Sequence, residues 1–171
     1  MKLDENAAAF GLFHITFANL VQQFAVAVFL IRKLKDPSIK FEDVFKRDFG
    51  ALRDDLKDEL KQFDAYPLHN MELQEIRAIC SKAGTLAAWR NPRIHARVKL
   101  EPNGITVYDS KTGKQLSINR DECSGKIEEA VGLALNLDFN MEQLLKNAAA
   151  SLTQTCADVA EIFKTIEDHA D

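Results

Sequence analysis

Residues 6–31 read NAAAFGLFHITFANLVQQFAVAVFLI, with no charged side chain among them. Phe10, Phe13, Phe17, Leu20, Val21, Phe24, Val28 and Ile31 recur at steps of three and four, which is one face of a helix. Leu12, Ile15, Val26, Phe29 and Leu30 make a second apolar patch to one side. A helix with two apolar faces needs two buried sides, so the stretch predicts a long helix covered by its own bundle and by a second subunit. It is also long enough to span a bilayer. His14, Asn19, Gln22 and Gln23 lie inside it, however, and each is costly in lipid, which favours a soluble core helix and no membrane. Arg32, Lys33 and Lys35 suit its C-terminal end, and Asp36-Pro37 stops it.

The same period continues downstream. Ser38 to Asp48 predicts a short helix or ordered loop, broken by Gly50. Ala51 to Phe63 repeats Leu52, Leu56, Leu60 and Phe63 among charges, an amphipathic surface helix, and Asp64-Ala65-Tyr66-Pro67 is a turn. A further helix starts at Asn70, buries Leu73, Ile76, Ile79, Cys80, Ala83, Leu86 and Ala87, and runs to Trp89-Arg90. Pro92 predicts a break there, with Asn91 as N-cap of a new turn whose free N–H groups favour an anion. Residues 98–118 alternate like strands, and Asn103-Gly104 and Thr112-Gly113 signal hairpins, so a three-stranded meander is expected. From Asn119 the pattern is helical to the end, capped by Asn119 or Asp121. The side expected to be buried carries Ile127, Val131, Ala134, Leu135, Phe139, Leu144, Leu145, Leu152, Val159, Ile162, Phe163 and Ile166. It reads equally as one very long helix or as two with a bend near Leu137–Asn140.

Composition sets outer bounds. A chain of 171 residues, 46% hydrophobic and 28% charged, fits a single soluble domain over 1–171. A net charge of -4 argues against a general nucleic-acid coat protein but leaves room for a local basic site. Cys80, Cys123 and Cys156 are odd in number and far apart, which suggests reduced thiols in helices and a cytoplasmic protein. The acidic start Met1-Lys2-Leu3-Asp4-Glu5 is unlike a secretory signal. His14, His69 and His169 lack metal-ligand spacing, and no phosphate-loop or dinucleotide motif occurs, so no metal or cofactor is expected. His14 reads as a hydrogen-bonded residue on a helix face.

The candidate chemistry lies in Arg90-Asn91-Pro92-Arg93-Ile94-His95. Histidine moves a proton near neutral pH, and arginine grips phosphate with a planar fork of donors. Together they suffice to cut a phosphodiester that carries its own nucleophile, the 2′-hydroxyl of RNA. An arginine and histidine at this spacing are common by chance. The asparagine between them and the apolar helix before them narrow the pattern. Arg93, Arg97 and Lys99 surround the histidine, with no acid between Arg90 and Leu100. They read either as an RNA-backbone patch or as a solvated stretch leading into a strand. Trp89 suits core packing better than base stacking.

The segment Leu86-Ala87-Ala88-Trp89-Arg90-Asn91-Pro92-Arg93-Ile94-His95 resembles the signature of the HEPN superfamily, helical bundles that carry an arginine and a histidine with four to six residues between them. The resemblance implies a mainly α fold: a HEPN-like bundle of about four to five helices, the first and last long, with the β-meander at 98–118 as an insertion after the motif. It implies a metal-independent endoribonuclease, with Arg90, Asn91 and His95 catalytic and Arg93, Arg97 and Lys99 binding RNA. Two copies of the motif would meet across a homodimer. His95 would move the proton of the 2′-hydroxyl or of the leaving 5′-oxygen. Arg90 would stabilise the transition state, and Asn91 would orient the histidine or contact the phosphate. The setting implied is a toxin, phage defence or RNA processing, with an antitoxin or regulatory protein as a further partner. Arg97 stands where some toxin relatives carry a tyrosine that a partner enzyme modifies, so that form of control does not carry over. The alternatives are a non-catalytic HEPN module that binds RNA, nucleotide or protein, and a helical interaction protein in which the motif is accidental.

Overall fold

The computed structural model describes the backbone of residues 2–64, 70–101 and 104–168, and the side chains of 5–64, 71–97, 99, 106–151 and 153. In chain order it holds α1 (Lys2–Lys35), α2 (Phe41–Phe45), α3 (Phe49–Leu60) with a 3-10 turn Lys61–Phe63, and α4 (Asn70–Ile94). Then follow β1 (Arg97–Glu101), β2 (Gly104–Tyr108), β3 (Gln115–Leu116) and α5 (Arg120–Asp168). The expected turns at 64–67 and 103–104 involve residues outside the described set. So do the side chains of Cys156, His69, His169 and the apolar residues from 152 onward.

The fold is mainly helical with one small antiparallel sheet. α1 and α4 each pack on both α3 and α5, so α1 and α4 face each other across the diagonal of a four-helix arrangement. Large aromatic rings bridge that diagonal, with Phe13 edge-on to Trp89 at 5.0 Å between centroids. The α1 stripe is the centre of the core: Phe13, Phe17, Leu20, Phe24, Val28 and Ile31 are buried, against Leu56, Leu60, Ile76 and Leu86. Each such side chain contributes roughly 1.5–3 kcal/mol when withdrawn from water. By length and composition α1 could cross a membrane, yet one of its faces is this core.

The second α1 patch is different. Leu12 and Ile15 are exposed within the single chain, and Val26 and Phe29 are only half-buried. α5 departs from expectation in the same way. The residues that pack inward are Ala130, Leu133, Leu137, Met141 and Leu144, while Val131, Leu135 and Phe139 form an outward row. The reason is that this helix carries two apolar rows two residues apart, on opposite sides, and only packing decides which faces inward. α5 is a single helix with no division near Leu137. Asn119 caps it, its side-chain oxygen accepting the Glu122 N–H at 2.8 Å.

Two further expectations are corrected. Gly50 does not break a helix. Asp48 caps α3 by accepting the Ala51 N–H at 2.9 Å, and Gly50 sits in its first turn. Pro92 does not end α4, which continues to Ile94, so Asn91 starts no new helix and no fresh N-terminus is offered to an anion there. Proline removes only its own bond to the carbonyl four residues back, and near a helix end few later bonds depend on it. The meander is present, in the order β1-β2-β3, with Gly113 at φ 69 in its second turn. Ser117 and Ile118 fall outside β3.

At the far end of the bundle, Arg32 bonds Glu59 at 2.9 Å and Asp55 at 3.1 Å, and Lys35 and Arg47 join them. Burial opposes ionisation of Glu59, but the bonds from Lys35 and Arg32 outweigh it and hold its carboxyl below the usual range. In the core, burial pushes the Cys80 thiol up to about 11. At pH 8 the native protein is therefore expected to leave Cys80 unlabelled by a thiol reagent, while denaturation exposes it. Mass mapping of the labelled peptide checks this, and rapid native labelling of Cys80 would contradict the packing.

Candidate functional site

The site arises because α3 is short. Phe49, its first residue, packs edge-on against Phe17 and Phe24, each at 5.3 Å. Asp55 and Glu59 further along α3 reach Arg32, so α3 runs beside α1 in the same direction and starts only at the level of Phe17. Beyond Phe49 that corner of the bundle is open. The result is a cleft of about 420 Å³ between α1, α3 and the end of α4, with Phe17 and Phe49 on one side and Arg90 and Asn91 on the other.

Arg90 spans the gap. Its guanidinium lies over the Phe17 ring at 4.9 Å, and Nη2 donates to His14 Nδ1 at 3.1 Å. Arginine has no acceptor, so His14 Nδ1 is unprotonated in this contact and the ring proton is on Nε2. A weaker bond of 3.4 Å joins Nη1 to the Asn91 side-chain oxygen. Arg90 Nε is buried with no hydrogen-bond partner, and burial lowers the pKa of the group. A guanidinium in the wall of an open cleft is suited to receive an anion, through the nitrogens at its tip rather than the buried Nε.

Asn91 lines the cleft and His95 lies four residues on. The His95 N–H donates to the Asn91 carbonyl at 3.3 Å, closing the last turn. His95 thus stands one turn beyond Asn91, just past the end of α4, and is not among the residues that line the cleft. It is exposed, and no described residue hydrogen-bonds its ring. Five residues at helical spacing turn the direction by about 140°, so Arg90 and His95 point to well-separated sides of a single chain.

The three cations grouped with the motif part company. Arg93 is only 11% exposed. Its guanidinium lies 4.0 Å over Trp89, Nε donates to the Ser117 carbonyl at 3.1 Å, Nη1 to the Trp89 carbonyl at 2.8 Å, and Nη2 to Glu122 at 3.5 Å. With its donors spent, it clamps the meander's return to α4 rather than facing an RNA strand. Arg97 and Lys99 are exposed and lie at alternate positions of β1, hence on one side of the sheet. Trp89 packs in the aromatic cluster, and its indole N–H donates to Glu122 at 2.5 Å, as core packing requires.

Two site residues escaped the sequence reading. His14 was placed on a helix face without its partner. The only available signal was a titratable ring inside an otherwise uncharged stretch. Arg53, from α3, also lines the cleft, and nothing distinguishes it in sequence from its charged neighbours. Among the described residues, no three His, Cys, Asp or Glu side chains gather as a metal site would need. No family model, curated protein or solved structure matches this chain.

Proposed function

We propose that the protein is a metal-independent endoribonuclease of HEPN type. It acts as a cytoplasmic homodimer in a toxin, phage-defence or RNA-processing setting, with an antitoxin or other regulatory protein as a further partner. The observation that carries this reading is Arg90, a half-buried guanidinium in the wall of an open cleft, five residues before an exposed histidine. His95 takes the proton of the 2′-hydroxyl or gives one to the leaving 5′-oxygen, and Arg90 holds the phosphate as negative charge builds on it. Asn91, which contacts Arg90 and shares the His95 face, orients the pair. Arg97 and Lys99 guide the strand along β1.

The dimer has its own support. Ile15 is 61% exposed, Leu135 66% and Phe139 60%, a large apolar surface for an isolated chain. A second copy would also supply another Arg90 and His95, bringing together side chains that point apart in one chain.

In excess EDTA the full chain is expected to cut single-stranded RNA, leaving 2′,3′-cyclic phosphate and 5′-hydroxyl ends. Cleavage only with added metal rejects the mechanism. Saturable RNA binding without products assigns the chain to the non-catalytic modules instead.

A further inference from the structure

Arg53 occupies an unusual position. Its side chain is 30% exposed and lies across α4 at Gly84, where an added Cβ would sit 2.8 Å from Nη1. Nε and Nη2 both donate to Asp54 Oδ1, at 3.1 and 2.9 Å. Asp54 is the next residue in the chain and is 63% exposed, so this pair forms as well with the arginine turned out to solvent. Pairing with Asp54 therefore does not explain why Arg53 is laid against a bare turn of α4. The cleft does, because Arg53 and Arg90 both line it. Two guanidiniums in the lining of one open cleft favour an anion between or beside them. Among the described residues, Asp48 is the one acid in the lining and caps α3 by accepting the Ala51 N–H, so against Arg53 and Arg90 the lining keeps a net positive charge. The positive end of α3 faces the same space.

We propose that the cleft is a second phosphate seat, in which Arg53, laid on Gly84, holds the phosphate next to the one at Arg90 on a single RNA strand. The cleft holds about 420 Å³, room for a nucleotide but not for a duplex. Asn91 in its wall is one helical turn, about 5.4 Å, from His95, a step similar to that between neighbouring phosphates on an extended strand. The strand then runs from the α3 end of the cleft past Arg90 toward His95 and the cations of β1. Identifying the neighbouring bond as the one cleaved rests on the ribonuclease reading. The seat itself does not.

The test uses the full chain and a short labelled 2′-O-methyl RNA, which binds but lacks the nucleophile. Anisotropy is read across a salt series. Arg53→Ala is expected to weaken binding about tenfold and to lower the slope of log affinity against log salt by about 0.7, one phosphate contact on a single strand. Gly84→Ala is the second variant. Alanine favours the helix, so the fold is kept, while the new methyl pushes Arg53 off its seat and gives a similar loss. On unmodified RNA the loss falls on KM rather than kcat, because the contact is made before and during the reaction. Wild-type affinity and slope in both variants would overturn the proposal, as would no binding by the wild type. Equal affinity for a 5′-mononucleotide and the oligonucleotide would assign the seat to free nucleotides and overturn the RNA assignment. Binding retained by a wild type that never cleaves RNA removes the ribonuclease reading and leaves the seat standing.

Discussion

His95→Ala is expected to lower the rate of single-stranded RNA cleavage by about 10²–10⁴-fold, the usual worth of a positioned proton-transfer group. Unfolding should be unchanged within about 0.5 kcal/mol, because the ring is exposed and no described residue bonds it. Arg90→Ala is expected to lose about 10²–10³-fold through the transition-state charge it no longer meets. Arg90→Lys should rescue little, since a point charge on a flexible stem cannot lie over Phe17, reach His14 and keep a third donor for phosphate. The pair of results distinguishes the mechanism from a structural role for the motif. Cleavage that survives His95→Ala at full rate sinks the proton-transfer assignment, whatever Arg90 does. The comparison needs equal amounts of folded protein, checked by circular dichroism.

Trp89→Ala should cost about 3–5 kcal/mol, a large part of the 5–15 kcal/mol that holds a typical domain together. The ring fills the diagonal between α1 and α4, edge-on to Phe13, with Phe10 at 6.2 Å. Removing it leaves a cavity, strands the Glu122 carboxylate without its indole donor, and takes away the surface on which Arg93 lies. Trp89→Phe keeps most of the packing and loses only the bond to Glu122, so about 1–2 kcal/mol is expected. Urea unfolding followed by far-ultraviolet circular dichroism gives both numbers. A loss below about 1 kcal/mol in the alanine variant would show that the aromatic cluster is not what holds α4 against α1.

The helices were legible because helical burial has a period that survives translation into sequence. α3 and α4 each carry one dominant stripe, and α1 carries its aromatic stripe beside a second patch; in all three the stripe marked by the sequence is found inside. α5 was legible only in part: Leu144 is inside and Ile127, Ala134 and Leu145 pack on the core as expected, but two stripes two residues apart give the same period, and only the position of α1 and α4 selects Leu133 and Leu137 over Val131 and Leu135. The error at Pro92 came from a rule about helix interiors applied near a helix end. The error at Gly50 came from treating glycine as a stop while Asp48, two residues earlier, supplied a start. At the site, Arg90, Asn91 and His95 were legible because they are close in sequence. His14 meets Arg90, and Arg53 lines the cleft beside it, from positions 76 and 37 residues earlier in the chain, and no local pattern records such an encounter.

The Arg93 clamp has a consequence for how the chain can change. The residues between its grip on Trp89 and its grip on Ser117 begin and end at fixed points on the bundle. Hairpins within that span can lengthen, shorten or exchange their outward side chains without shifting α4 or α5. If the chain is the ribonuclease proposed above, the residues that cut and the surface that guides the strand are separately adjustable. A descendant could then acquire a new target preference by rewriting its meander while keeping Arg90 and His95 in place.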